Sequence, residues 1–307
     1  MSIEVTKVSK KYGSQLAVNE MSFAIGKGEV VGFLGPNGAG KSTMMKIITC
    51  FIPPTQGSVK VCGYDVMQQS IEARKRIGYL PEHNPLYTDM YVREYLTFMA
   101  DIYQLKGKSD RVKGVIQRVG LEIEMHKKIG ALSKGYRQRV GLAAAIIHDP
   151  EVLILDEPTS GLDPNQLVEI RDLIIQLGKE KTVMLSTHIM QEVEAICGRT
   201  IIINKGQVMA DQPTEQLRNL AGGNNYELTV ELSGNMDLAD FISIRGVINA
   251  TSAGNNQWTI HVSGREDVRK EIAEKAMSKG LVVMTMTRHE VKLEEIFKTL
   301  TAVNKEL

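Results

Sequence analysis

Long apolar runs are missing from this 307-residue chain. No stretch reaches the roughly 18 consecutive apolar residues of a membrane span. The nearest, Leu142 to Ile147 and Val152 to Leu155, are separated by His148-Asp149-Pro150-Glu151. Such a chain is not expected to cross a bilayer by itself. Cysteine is scarce too: Cys50, Cys62 and Cys197 are widely spaced, form no C-x-x-C pair and, being three, cannot all pair with one another. That argues against a disulfide framework and fits a reducing compartment. Nor is there an excess of either charge. With 37 basic and 36 acidic residues the net charge is +1, which gives no bulk attraction to nucleic acid or to an anionic membrane. The start, Met1-Ser-Ile-Glu-Val-Thr-Lys7, mixes acid and base and lacks the apolar stretch of a secretory signal, so the expected location is the cytosol.

What is present is globular. Hydrophobic residues make up 43% and charged residues 24%, which sets aside disorder and rod-like repeats, and the length is about twice that of a usual domain. The first third alternates β-branched runs with turns: Ile3 to Val8, Met21 to Ile25, the almost wholly apolar Val30 to Leu34, then Ser58 to Cys62 and Ile77 to Leu80. Helical spacing follows the glycine-rich stretch at Met44 to Cys50 and dominates from about residue 85 to 149, at Val92 to Tyr103, Asp110 to Val119 and Tyr136 to His148. This segment reads as a helical insertion. Strands return at Val152 to Leu155, Thr182 to Leu185 and Arg199 to Asn204, with helices at Gln166 to Leu177 and Met190 to Cys197, so the core sheet is expected to be mainly parallel.

Ala221-Gly-Gly-Asn-Asn225 is the clearest linker, since two glycines beside two asparagines favour irregular backbone. It separates an expected domain of residues 1–220 from one of residues 226–307. The second reads as strand, short helix, strand, strand, helix and strand, followed by a helix at Leu293 to Leu300, the order of ferredoxin-like α+β folds. Its two histidines, His261 and His289, stand isolated in the sequence, and neither is expected to hold a metal.

The chemistry concentrates in the first domain. Gly35-Pro36-Asn37-Gly38-Ala39-Gly40-Lys41-Ser42-Thr43 has the G-x-x-x-x-G-K-S spacing of a phosphate-binding loop, with an apolar strand before it and a helix after it. The glycines let backbone N–H groups converge on phosphate oxygens, and the helix aims its positive dipole end at the same anion. Lys41 would reach the β- and γ-phosphates, and the Ser42 hydroxyl would ligate Mg²⁺. Val152-Leu-Ile-Leu-Asp156-Glu157 places two carboxylates at the carboxyl end of a buried strand, where open α/β sheets bind ligands. Asp156 suits an Mg²⁺ interaction through water, and Glu157 suits the role of general base or water-positioning group.

Taken in order, these motifs resemble the ATP-binding subunit of an ABC transporter, a P-loop NTPase with a helical insertion. Leu132-Ser133-Lys134-Gly135-Tyr136 resembles the family signature segment, Ser160-Gly161-Leu162-Asp163 its D-loop and Ser186-Thr187-His188 its switch histidine. Tyr12, in Lys-Lys-Tyr-Gly, matches the aromatic residue on which adenine stacks. The resemblance covers residues 1 to about 220. It implies bound ATP and Mg²⁺, with Ser42, Glu82 and Asp156 toward the metal, Glu157 and His188 in catalysis, Asp163 among the nucleotide-binding residues, and a head-to-tail dimer in which Ser133 and Gly135 complete the partner copy's site. Two departures stand out. Glu82 replaces the usual glutamine, keeping a metal-ligating oxygen and losing an amide donor. Lys134 and Tyr136 replace the usual glycine and glutamine of the signature.

The stretch from Ile77 to Tyr95 is similar to the gliding-motility-associated ATP-binding subunits, a subgroup that shares the Glu82 departure, and the carboxyl-terminal segment is similar to the accessory domain of exporter-type subunits. Both favour export powered through a separate membrane subunit. That subunit is expected to dock near Glu82 to Tyr87, with the chain peripheral on the cytoplasmic face of the inner membrane. The basic bias between Leu105 and Val140, ten Lys or Arg against three Asp or Glu, reads as a solvated helical face or, alternatively, as a surface near anionic lipid heads beside a membrane partner. Interleaved aromatics are nearly absent there, so no nucleic acid is expected. The alternative is a soluble ATP-dependent switch of the same superfamily. Its usual marks, two ATP-binding halves or a coiled-coil insertion, are missing.

Overall fold

Val30–Leu34 is buried along almost its whole length, and a strand without a polar face belongs inside a sheet covered on both sides. The computed structural model, which describes residues 1–187, 189–220, 226–263, 267–289 and residue 297, places it there. The chain divides into two compact units, Met1–Thr214 and Glu215–Leu307.

The first unit runs β1 (Ile3–Tyr12), β2 (Gln15–Ile25), β3 (Val30–Leu34), α1 (Lys41–Ile48), β4 (Gln56–Val61), β5 (Tyr64–Asp65), α2 (Ser70–Lys75) and β6 (Ile77–Leu80). The helical insertion follows as α3 (Val92–Ile102), α4 (Lys108–Arg118) and α5 (Lys134–Ile146). Then come β7 (Val152–Asp156), α6 (Pro164–Gly178), β8 (Thr182–Ser186), α7 (Met190–Ile196), β9 (Arg199–Asn204) and β10 (Gln207–Pro213). The division between units falls at the start of α8 (Thr214–Leu220), just before the expected linker 221–225, which lies outside the described residues.

The central sheet has the order β10-β9-β3-β8-β7-β6. Every pair in it is parallel except β10 against β9. The four buried strands β3, β7, β8 and β9 therefore end on one side, and the loops that follow them share one edge. A second sheet, β2-β1-β4-β5, is antiparallel, which the alternation of elements did not suggest. Its cause is local: only Gly13 and Ser14 join β1 to β2, too short for a crossover, so the pair closes as a hairpin. One core joins both sheets through α1, with Phe23 and Phe33 rings 5.5 Å apart and Met44, Met45 and Ile154 fully buried.

The helices begin earlier than apolar spacing indicates. α5 starts at Lys134 because the Ser133 hydroxyl accepts the Tyr136 N–H at 3.3 Å, and α1 starts at Lys41 directly after Gly40. First-turn residues are set by caps rather than by the buried face.

α5 leads into His148, whose ring stacks on Tyr103 at 3.8 Å and donates from Nε2 to the Ile77 carbonyl at 3.0 Å. Burial holds this imidazole down to about 4, opposed chiefly by its hydrogen bond to the Ile77 carbonyl, with Lys181 and Arg111 pushing down and Asp149 up by smaller amounts. The unfolded chain takes up the proton near the ordinary histidine value and the folded chain only near pH 4. Folding is therefore unaffected by this group above pH ~6.5 and loses stability as pH falls toward 4, by at most about 3 kcal/mol. Denaturant titrations from pH 7 to 4 should show a shallower acid loss for His148→Phe than for wild type; parallel curves would contradict the assignment.

The second unit continues with β11 (Tyr226–Leu232), α9 (Leu238–Ile242), β12 (Val247–Gly254), β13 (Gln257–Val262), α10 (Arg269–Ser278) and β14 (Val283–His289). Its sheet order is β12-β13-β11-β14, antiparallel throughout, the ferredoxin-like arrangement. The expected last helix, Leu293 to Leu300, falls outside the described residues apart from Phe297. Leu228, Val230, Ile260 and Ile272 fill the core beside the Phe241–Trp258 ring pair, 4.9 Å apart. Alternate strand residues form the opposite, polar face. His261 and His289 are not isolated there: Glu227 faces one on each neighbouring strand, its carboxylate 3.0 Å from His261 Nδ1, while His289 bonds Thr229 at 3.0 Å.

Candidate active site

The site is built from the edge where the parallel strands end. β3 stops at Leu34, and the chain turns through 35–40 into α1. Gly40, the N-cap of α1, has φ 103°, and a Cβ there would lie 2.6 Å from the Ala17 carbonyl oxygen. Gly35 is hemmed in differently: a Cβ would meet the Ile203 carbonyl oxygen of β9 at 2.6 Å. Only glycine allows the loop to lie this close to its neighbours. Asn37 and Gly38 at the crest are exposed, while Ala39, Gly40 and Lys41 are buried and Pro36, Ser42 and Thr43 half-buried. No acidic residue occupies the first turn of α1, so its N–H groups and positive dipole end face an anion without competition.

Lys41 folds back over the loop, its ammonium donating to the Gly35 carbonyl at 2.6 Å and to the Pro36 carbonyl at 3.2 Å. Burial lowers its pKa, opposed by the charges of Glu157, Asp156 and Glu82. Those three carboxylates therefore share its surroundings. Asp156, 3% exposed, closes β7 and pairs in register with Ser186 at the end of β8. Burial pushes its carboxyl above the ordinary range, against the pull of the Ser186 and Ser42 hydroxyls and of Lys41, with Glu82 adding to the rise. Glu157 follows in left-handed backbone, φ 51°, while its N–H donates to the Ser186 carbonyl at 2.9 Å. That turn separates the two side chains at the strand end. Glu82, just past β6, is exposed. With Asp156 it reinforces the burial that pushes the Tyr79 phenol up to about 12.

A second group gathers at the starts of α5 and α6. Ser133 caps α5, and the Asp163 carboxylate caps α6 by accepting from the N–H groups of Asn165 at 3.1 Å and Gln166 at 3.0 Å. The Gln166 side chain lies against Gly135, and the Lys134 ammonium lies against Gly161. The signature segment and the D-loop thus touch within one chain, and Lys134, one of the two departures, is part of that contact. Tyr12, at the tip of the β1–β2 hairpin, is 48% exposed with the Lys10 ammonium 5.3 Å from its ring centre. The same hairpin carries Ala17, whose carbonyl abuts Gly40. His188 lies outside the described residues.

The ABC transporter family profile matches residues 18–160. An uncharacterized ABC transporter ATP-binding protein, YxlF of Bacillus subtilis (strain 168), is 32% identical over 298 residues, spanning 96% of this chain and 96% of the relative. The chain belongs to the ABC transporter ATP-binding protein family. The Bacitracin transport ATP-binding protein BcrA of Bacillus licheniformis is also 32% identical, over 97% of this chain and 96% of its own length. Among solved structures, one titled as the ATP-binding subunit of an ABC transporter matches with TM-score 0.66 and 29% identity, covering 72% of this chain and 93% of that one. A dimeric post-hydrolysis cassette bound to ADP and Pi matches with TM-score 0.63 and 27% identity, over 69% and 98%. This ABC protein is an ATPase, and its fold is that of the ATP-binding cassette.

The donor set of the ABC site fits Mg²⁺. Ser42, Asp156 and Glu82 offer only hard oxygen ligands, and the buried Ser186 hydroxyl beside Asp156 has no hydrogen-bond partner of regular geometry. No group of three or more His, Cys, Asp or Glu side chains among the described residues is placed to hold a metal unaided.

Sequence reasoning missed Gln166 against Gly135, Ser186 beside Asp156, and a buried carboxylate, Glu192. The spacing of Gln166, three residues after a helix-capping aspartate, gave a usable signal for the first. Ser186 is one more polar residue at a strand end, and Glu192 one more acid in a helix.

Proposed function

We propose that this chain is the motor subunit of an exporter: two copies bind ATP·Mg²⁺ head to tail and drive a separate membrane subunit. In this reading the backbone of Gly35 to Thr43 wraps the phosphates, Lys41 exchanges its loop carbonyls for β- and γ-phosphate oxygens, and Tyr12 stacks on adenine. Ser42, Asp156 and Glu82 hold Mg²⁺, directly or through water. The ion supplies charge neutralisation of the phosphates. Glu157 accepts the proton of the attacking water, and His188 contacts the γ-phosphate. Ser133 and Gly135, at the start of α5, and Asp163 serve the other copy's nucleotide. The observation that carries the reading is the convergence of Asp156, Glu157 and Glu82 on the buried Lys41 at the end of a phosphate-loop strand.

Support for a separate membrane subunit is twofold. No helix among the described residues is long and apolar enough to cross a membrane. In the same expected docking segment as Glu82, Tyr87 is 57% exposed and held edge-on by Tyr95 at 6.0 Å and Phe98 at 5.8 Å, with Tyr91, the N-cap of α3, and Ile102, at its end, also exposed. An exposed aromatic held rigidly among apolar neighbours suits a docked helix. Co-purification from detergent-solubilised membranes should recover an integral membrane protein with the wild type and at least about tenfold less with Tyr87→Asp, as loss of an interface anchor predicts. Recovery with ribosomes and no membrane protein would instead support the soluble switch.

A further inference from the structure

Glu192 lies in the first turn of α7 and is 2% exposed. Its Oε2 accepts the Thr159 hydroxyl at 2.6 Å and the Thr187 hydroxyl at 3.1 Å, while Oε1 is buried and has no partner. A buried carboxylate with one oxygen unsatisfied is costly, and an apolar side chain at this position would avoid the cost. The places it joins account for its presence. Thr159 comes two residues after Glu157 and opens the turn that leads to Asp163. Thr187 follows directly on β8, and its hydroxyl also accepts the Ile189 N–H at 3.1 Å. In the chain, residue 188 falls between these two anchored neighbours. The two strand-end segments are also joined by the bond from Glu157 N–H to the Ser186 carbonyl.

We propose that Glu192 is a positioning residue for ATP hydrolysis, its carboxylate clamping the Thr159 segment behind Glu157 to the Thr187 segment before residue 188 so that the two keep one relative placement. The inference rests on the roles given to Glu157 and His188 above. The clamp needs one acceptor oxygen and no charge, since only Oε2 is used. Glutamine can supply that oxygen, and its amide takes the place of the unpartnered one. Alanine cannot. Displacement of a reacting group by about 1 Å costs on the order of 100-fold in rate.

The test measures kcat, KM, fluorescent-nucleotide affinity and thermal midpoint in the full chain. Glu192→Ala should lower kcat by about 10–100-fold with nucleotide affinity within about threefold of wild type, while Glu192→Gln stays within about threefold in kcat. Thr159→Val should resemble Glu192→Ala, Thr159→Ser should retain activity, and the Thr159→Val/Glu192→Ala double variant should be no worse than the worse single variant. Thr159→Val preserves shape, so it keeps the test open if Glu192→Ala does not fold. Wild-type kcat in Glu192→Ala or Thr159→Val, Glu192→Gln as slow as Glu192→Ala, or loss of nucleotide affinity in step with kcat would each overturn the proposal. Glu157→Gln, measured in parallel, separates the two readings. If it hydrolyses ATP like wild type, the parent assignment fails. If it is inactive while Glu192→Ala is normal, only the clamp fails.

Discussion

Glu157→Gln lowers kcat for ATP hydrolysis by about 10²–10⁴-fold, the range of a lost general base, and leaves nucleotide affinity within a few-fold. The substitution keeps size and hydrogen-bonding reach and removes the capacity to hold the water's proton. Two local features favour Glu157, rather than its neighbour, as the proposed proton acceptor. Asp156 is 3% exposed with its charge favoured by the nearby Ser42 and Ser186 hydroxyls, a setting for a metal contact, whereas the left-handed backbone at Glu157 turns the chain out of the strand. Of the carboxylates acting on Lys41, Glu157 exerts the largest pull on its charge, so it lies at the same locus as the phosphate-binding lysine. Single-turnover ATP hydrolysis and nucleotide titration of the purified variant provide the check. A variant that turned over at the wild-type rate would remove Glu157 from the chemistry altogether.

Lys41→Ala weakens ATP binding by roughly 10–150-fold, the worth of one charge-assisted hydrogen bond of about 1.5–3 kcal/mol, and hydrolysis falls at least in proportion. Two linked roles are proposed for Lys41. Without nucleotide its ammonium satisfies the Gly35 and Pro36 carbonyls and holds the loop in shape. With nucleotide the same ammonium is already buried beside the phosphates' place and has little further desolvation to undergo. Lys41→Arg should fail as well, because a planar guanidinium does not fit where a compact ammonium is 8% exposed under the loop. ATP-induced thermal stabilisation should be strong in wild type and nearly absent in both variants. Equal stabilisation in wild type and Lys41→Ala would contradict the phosphate role.

These two effects were legible from spacing because the chemistry depends on a short contiguous loop and on a strand end. A glycine-rich loop after an apolar strand fixes where backbone N–H groups point, and an acidic pair after Val152 to Leu155 can only fall at the carboxyl edge of a buried strand. The parallel sheet was legible for a related reason, since continuous apolar runs alternating with helices have one economical packing. The ferredoxin-like order of the second unit was legible from its succession of strand, helix, strand, strand, helix and strand. Less visible was the antiparallel sheet of β1, β2, β4 and β5, whose half-polar strands show period two only weakly and whose hairpin depends on a two-residue link.

By itself, the sequence determined the glycine-rich loop between strand and helix, the Asp156–Glu157 pair and the helical insertion, all carried by neighbours in the chain, while the signature and D-loop segments came from the family resemblance. The tertiary structure alone decided which distant groups meet: Glu82 and Asp156 at Lys41, Gln166 over Gly135, Glu192 between Thr159 and Thr187, and His261 and His289 on either side of Glu227. The physical reason is register. Residues 33 apart, such as Thr159 and Glu192, become hydrogen-bonded only because β7 and β8 run parallel and in step, with Asp156 opposite Ser186. Periodicity assigns a residue to a face of its own element, and only the pairing of elements chooses what that face meets.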